Sequence, residues 1–179
     1  MSSKNTILIV DTALGVFELE LDHVNAPVTA KYFQKLATMG ALDGTSVFRI
    51  VTPDNNSYNP DVAIHVVQGG RMESDAEIIP PIRHESTQET GLLHKKWSLS
   101  TARYDVGQTY GSFFIVMQDE PALDHGGTRH PDGQGFAVFG RVSSGYDVVE
   151  KIFSRAEQTE FLANRIQINT VRPYEVIAP

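Results

Sequence analysis

Chemistry in this chain rests on a short set of side chains. There is no cysteine, which excludes thiol catalysis, disulfide scaffolds and Cys-ligated zinc. An arginine interrupts an apolar run, Val47-Phe48-Arg49-Ile50-Val51. A guanidinium is always charged and presents several N–H donors in a rigid fork. Strand alternation sets Val47, Arg49 and Val51 on one face and Phe48 and Ile50 on the other. If Phe48 and Ile50 fill an interior, Arg49 opens into a surface groove; on spacing alone, a solvated strand arginine is the better reading. Gln68-Gly69-Gly70 ends another apolar run, an amide followed by residues that permit a tight turn or a close backbone approach. Alone it is also just a strand end. Phe113 and Phe114 alternate to opposite faces, so one can be core while the other lines a site. Asp124, His125, His130 and Asp132 are of types that ligate divalent ions. Their spacing fits no strong signature, and a Gly-rich solvated loop is the better reading. Ser100 and Ser112 show no His/Asp triad arrangement. Gly107 to Gly111 lacks the strand–loop–helix context and the Lys of a phosphate loop. Hydrolase and nucleotide chemistry are therefore not expected.

The elements that would position these residues are mostly strands. Periodicity predicts eight: Thr6 to Asp11, Gly15 to Asp22, Thr45 to Val51, Ala63 to Gln68, Trp97 to Thr101, Ser112 to Met117, Phe136 to Val142 and Ile166 to Ile177. In the second, Phe17, Leu19 and Leu21 share the apolar face. Two helices are predicted. One starts at an Asn25-Ala26-Pro27 cap, carries Val28, Tyr32, Phe33, Leu36 and Ala37 at helical spacing, and stops at Gly40 as its C′ residue. The other covers about Tyr146 to Arg155. Eight strands and two helices suggest a closed or nearly closed antiparallel barrel, because closure removes exposed edges. Three long polar loops remain: Thr52 to Val62, Arg71 to Lys96 and His125 to Gly135. Loops of this length usually serve function.

The 179 residues predict one domain, residues 1–179. A net charge of −7 argues against nucleic acid and anionic membrane as partners, and weakly favours less acidic peptides. Ile7-Leu8-Ile9-Val10 is too short for a signal-peptide core, and no run is long enough to span a bilayer. The expectation is a soluble, cytoplasmic monomer.

Motif order carries more than any single motif. Ala26-Pro27-Val28-Thr29-Ala30, Val47-Phe48-Arg49-Ile50-Val51, Val67-Gln68-Gly69-Gly70, Leu99-Ser100-Thr101-Ala102-Arg103, Gly111-Ser112-Phe113-Phe114-Ile115, Leu123-Asp124, Val138-Phe139-Gly140-Arg141-Val142 and Gly145-Tyr146-Asp147-Val148-Val149 follow one another in the chain. The succession resembles the cyclophilin family of peptidyl-prolyl cis–trans isomerases over roughly Ile7 to Ile177, and looks most like its bacterial branch. The resemblance implies an eight-stranded barrel capped by two helices. It also implies an enzyme that speeds rotation about X–Pro bonds in peptides and folding proteins, without cofactor or metal. The uncatalysed barrier is about 18–20 kcal/mol, because rotation breaks amide resonance. By the same resemblance Arg49 is the catalytic arginine and Gln68 orients it. Phe114 floors the proline pocket, with Val66 and Leu123 as walls. The backbone of Thr101, Ala102 and Arg103 pairs with the substrate.

Four positions depart from the family's usual residues. His65 stands where an aromatic is common, Ser112 where Gln is, Phe136 where His or Tyr is, and Ala122 where Trp or Phe is. Ala122 removes one groove wall and predicts weak cyclosporin binding. Ser112 loses an amide for the peptide backbone, and Phe136 cannot donate to the proline carbonyl. These changes motivate an alternative: a prolyl-peptide-binding module or chaperone with little turnover. A barrel carrying a small apolar ligand is a third class, disfavoured by bulky interior Phe and Ile.

Overall fold

The computed structural model describes residues 5–72 and 80–175. Residues 73–79, within the predicted Arg71 to Lys96 loop, and Ile177, the predicted end of the last strand, lie outside the described residues. In chain order the elements are β1 (Thr6–Thr12), β2 (Gly15–Leu21), α1 (Pro27–Thr38), β3 (Ser46–Val51), β4 (Val66–Gly70), α2 (Thr87–Thr90), β5 (Ser98–Arg103), β6 (Thr109–Val116), β7 (Ala137–Ser144), α3 (Tyr146–Phe153) and β8 (Phe161–Glu175). All neighbouring strands pair antiparallel, and the order β1-β2-β7-β5-β6-β4-β3-β8 closes into a barrel.

Packing explains the closure. Alternating residues of β1 and β2, among them Leu8, Val10, Phe17, Leu19 and Leu21, point inward and are buried. α1 plugs one end and sends Phe33 into the barrel, where it stacks on Phe139 with centroids 4.4 Å apart. What remains inside is a void of about 10 Å³ bordered by Leu8, Phe33 and Phe113, room for at most one water. Among the described residues the barrel interior is filled by side chains, which disfavours a small apolar ligand there.

Two local features differ from the sequence reading. Strict alternation fails in β3, where the register shifts between Val47 and Arg49. The shift is a bulge, which adds one residue to one strand and turns the following side chains. Val47 and Ile50 therefore face the barrel core, while Phe48 is buried outside that cluster against Phe161. α1 also lacks the predicted Asn25 cap. Ala26 is the N-cap and its side chain makes no cap bond. The carboxylate of Glu85 accepts instead from the Val28 and Thr29 backbone N–H groups at 3.3 and 2.7 Å, and from the Thr29 hydroxyl at 2.6 Å. At the other end Gly40 (φ +72°) is the C′ residue. Its N–H bonds Ala37 O, and Ala41 N–H bonds Leu36 O, the paired bonds of a Schellman stop. α2 is a single turn inside a segment read as loop, capped by Ser86.

Candidate functional site

Register brings the predicted chemistry together. Arg49 on β3 is directly opposite Gln68 on β4, and Gln68 is opposite Phe114 on β6. The same row continues to Phe161 on β8 and Ser100 on β5. Five adjacent strands thus carry one row of side chains on the outer face of the barrel. A cavity of about 420 Å³ opens over it. Arg49, Gln68, Val66, Phe114, Leu123, Ala102, Arg103 and Phe136, all predicted, line this cavity.

Arg49 is held on both prongs of its fork. Nη1 donates to Gln68 Oε1 at 3.1 Å, and Nη2 donates to Glu160 Oε2 at 2.9 Å. The guanidinium lies over the Phe161 ring, 5.2 Å from its centroid, close enough for a cation–π contact. Arg49 Nε is buried and has no hydrogen-bond partner among the described residues. Gln68 is buried too, and its Nε2 donates to Ser112 Oγ at 2.9 Å. That bond fixes which end of the amide faces Arg49. The floor and walls are apolar: Phe114, Val66, Leu123, Ile64 and Val116 form a second buried cluster, with Phe136 packed against it. Phe136 meets Phe114 edge to face at 5.5 Å and 87°.

Four predicted residues do not line the cavity. His65 sits between Ile64 and Val66, so alternation turns it away. Its Nδ1 lies 2.7 Å from Glu120 Oε1. Thr101 pairs with Phe113 on one side and Ala137 on the other; both ladders are occupied, which leaves no open edge there for a peptide. Ala102 falls at the register shift between Thr101 and Arg103 and does reach the cavity. Ser112 is fully buried behind Gln68, a support for that amide rather than a peptide contact. Ala122 is half-buried, and its carbonyl accepts the Arg129 N–H at 3.1 Å.

Arg103 anchors the rim. Its guanidinium donates to Gly135 O from Nε and Nη2, and to Asp132 with both Nη atoms at 2.9 Å. The Arg103 bonds hold the Asp132 carboxyl down at about 2. Gly135 (φ +65°) is tied to the spot, because a Cβ there would come within 2.6 Å of the Asp124 backbone. The loops Thr52 to Val62 and His125 to Gly135 both rim the cavity, through Tyr58 and through Arg129 and His130. Asn59 Nδ2 donates to Arg129 O at 3.3 Å, joining the two.

Beneath the floor lies an arrangement that spacing did not reveal. Asp124 Oδ1 is 2.7 Å from His94 Nδ1, and His94 Nε2 is 2.9 Å from Ser100 Oγ. The bonding order is that of a nucleophilic triad, contrary to the sequence reading. Ser100 and the His94 side chain are nonetheless fully buried, so no substrate reaches the hydroxyl. Burial pushes the His94 ring below the usual histidine range, although Asp124 opposes this. A neutral ring with Nδ1–H toward Asp124 leaves Nε2 as an acceptor beside the Ser100 hydroxyl, which also lies 3.0 Å from the Ala137 carbonyl oxygen and shares its one proton between the two. The ring lies parallel to Phe114, 5.9 Å away and within 8°, and so braces the floor. Asp124 and Asp132, weighed above as metal ligands, are thus engaged by His94 and Arg103.

The residues that sequence reasoning missed are Tyr58, Glu160, Phe161, Tyr104, Tyr110 and Arg129. Glu160 and Phe161 precede the predicted start of the last strand, and only the β3–β8 register brings them to Arg49.

Comparison with known proteins agrees with this fold. Residues 7–172 match the family model for cyclophilin-type peptidyl-prolyl cis–trans isomerases. The chain is 31% identical over 178 residues to peptidyl-prolyl cis–trans isomerase A of Dickeya dadantii, covering 97% of this chain and 79% of that protein. It is 31% identical to peptidyl-prolyl cis–trans isomerase cyp18 of Streptomyces antibioticus, covering 80% of each. A crystal structure of a cyclophilin-type isomerase from Cryptosporidium parvum superposes with a TM-score of 0.75 at 16% identity, over 98% of this chain and 99% of that one. The same protein in the presence of the dipeptide Ala-Pro gives 0.74, over 94% and 98%.

Proposed function

Because this chain belongs to the cyclophilin-type peptidyl-prolyl cis–trans isomerases, we propose that its X–Pro rotation is driven by Arg49, held by Gln68 and Glu160 at the edge of a hollow floored by Phe114. The observation that carries this reading is the shared row of Arg49, Gln68 and Phe114 beside one cavity. Rotation about the X–Pro bond cleaves nothing. As the amide twists, its nitrogen loses resonance and regains a lone pair. A donor aimed at that nitrogen binds the twisted form better than either planar isomer, which is what lowers a barrier. The apolar walls hold the proline ring while the peptide turns about it. A fixed guanidinium needs no reorganisation at that moment, and the two bonds to Gln68 and Glu160 supply the fixing.

The first test is exchange NMR on a short X–Pro peptide. Arg49→Ala is expected to lower kcat/KM by roughly 10²–10³, the usual cost of one preorganised donor. Peptide binding without faster exchange in the unaltered protein would instead establish a prolyl-peptide-binding module. Wild-type turnover undiminished in Arg49→Ala would sink the role of the arginine. The altered residue Ala122 supports weak cyclosporin binding, because its methyl supplies no aromatic wall. Tight binding in a direct titration would overturn this.

A further inference from the structure

Three arginines line the cavity: Arg49, Arg103 and Arg129. Arg49 is paired with Glu160 and Arg103 with Asp132. Arg129 has no such partner. Its Nη1 donates to Asn56 Oδ1 at 2.6 Å and to Val62 O at 2.9 Å, both neutral acceptors. Among the described residues no carboxylate forms an ion pair with it, and neither its Nε nor its Nη2 donates a hydrogen bond. Yet the residue is only 3% exposed. Burying a guanidinium without a counter-charge is costly, and burial together with the repulsion of Arg49 pushes Arg129 below its ordinary range. Glu160 and Glu120 offset this only from longer range. Tyr58 completes the arrangement. Its ring lies 5.4 Å from the Arg129 guanidinium and 5.8 Å from that of Arg49, with the tyrosine largely exposed at the mouth.

We propose that Arg129, with Tyr58 and the flank of Arg49, forms a subsite for a carboxylate side chain of the substrate peptide close to its proline. The missing counter-ion then arrives with the substrate. A carboxylate seated there meets the free donors of Arg129, and the two neutral acceptors already hold the guanidinium in place. This reverses locally the preference for less acidic peptides that the −7 net charge of the whole chain predicts. The proposal rests on the isomerase reading of the same groove.

The test uses C-terminally amidated peptides that differ only in a Glu, Gln or Lys placed one or two residues to either side of proline. Exchange NMR gives kcat/KM for each with the unaltered chain. At one of these positions Glu is expected to exceed Gln by about tenfold and Lys to fall below it, mainly through KM, as a charge-assisted hydrogen bond would give. In Arg129→Gln the Glu/Gln ratio should fall to about one, whereas Arg129→Lys should retain part of it. Because the ratio is taken within each protein, a general loss from loosening Asn56 or Val62 cancels. Equal rates for Glu and Gln peptides in the unaltered protein overturn the proposal, as does a ratio that survives in Arg129→Gln. Should Arg129→Gln not fold, the wild-type series and Arg129→Lys still decide it. Absence of turnover for every peptide is a different result, which overturns the isomerase reading itself.

Discussion

At the scale of single residues, Glu160 matters because it holds one prong of Arg49. Its own second oxygen accepts from the Ser57 hydroxyl at 3.1 Å, so the carboxylate is fixed before it fixes the arginine. Glu160→Gln keeps the shape and removes the charge. It is expected to lower kcat/KM three- to tenfold with most of the change in kcat, since positioning rather than binding is weakened. Steady-state exchange measurements on one neutral peptide check this; an unchanged kcat would remove Glu160 from the argument. The family resemblance carried by the motif order singled out Arg49, Gln68 and Phe114, and strand register brings the three to one cavity. Strand alternation places His65 away from the groove, a consequence that the family match obscured. Ser112 shares the parity of Phe114 yet lies behind Gln68, and only strand packing reveals that. Glu160 is 111 residues from Arg49, beyond any local pattern.

At the scale of elements, α1 illustrates what periodicity can and cannot supply. Its apolar stripe and its Gly40 stop were legible, because both are local. Its N-terminal cap was not, because the acceptor comes from Glu85, 56 residues beyond Thr29. Glu85 satisfies two backbone N–H groups and a hydroxyl in a buried setting. Glu85→Ala should therefore cost about 1–3 kcal/mol, the cost of leaving such donors unmet. Urea unfolding should show a lower midpoint with an unchanged slope. The brace beneath the cavity floor gives a parallel case. Asp124 Oδ1 accepts both the His94 ring and the His94 backbone N–H, the latter at 2.9 Å. Asp124→Asn should lower stability and loosen Phe114 together, visible as a broadened Phe114 ring signal in NMR spectra. A variant with native stability and an unchanged ring signal would show that the brace is idle.

At the scale of the whole molecule, titration behaviour follows from the same contacts. Asp132 titrates near 2 in the folded protein, below its unfolded value of about 3.9. The unfolded state takes up that proton first, so the contribution is present above pH 4 and lost as pH falls toward 2. His94 and His84 are also pushed down, chiefly by burial. Unfolded histidines gain protons below about pH 6.5 while the folded ones resist, so stability drops on that limb too. Stability should rise from pH 2 toward 7, in two stages. Asp132→Asn should lower it at pH 7 and flatten chiefly the lower stage, with a smaller change in the upper one because the Asp132 carboxylate also acts on His84, as measured by urea unfolding across pH. A slope between pH 4 and 2 identical to wild type would refute the assignment. The barrel itself was legible from eight strand patterns. The β3 bulge was not, because nothing in Val47-Phe48-Arg49 announces that an alternating run will skip one step.

Closure by β8 has a consequence for biosynthesis. β8 fits between β1 and β3 and follows every other strand in chain order. A ribosome delivering roughly 5–20 residues per second therefore exposes seven strands with two open edges before the eighth can seal them. Glu160 and Phe161 emerge with that last segment, so Arg49 has neither its counter-ion nor its aromatic platform until then. A protein that assists the prolines of other chains would, while still being made, be unable to assist its own.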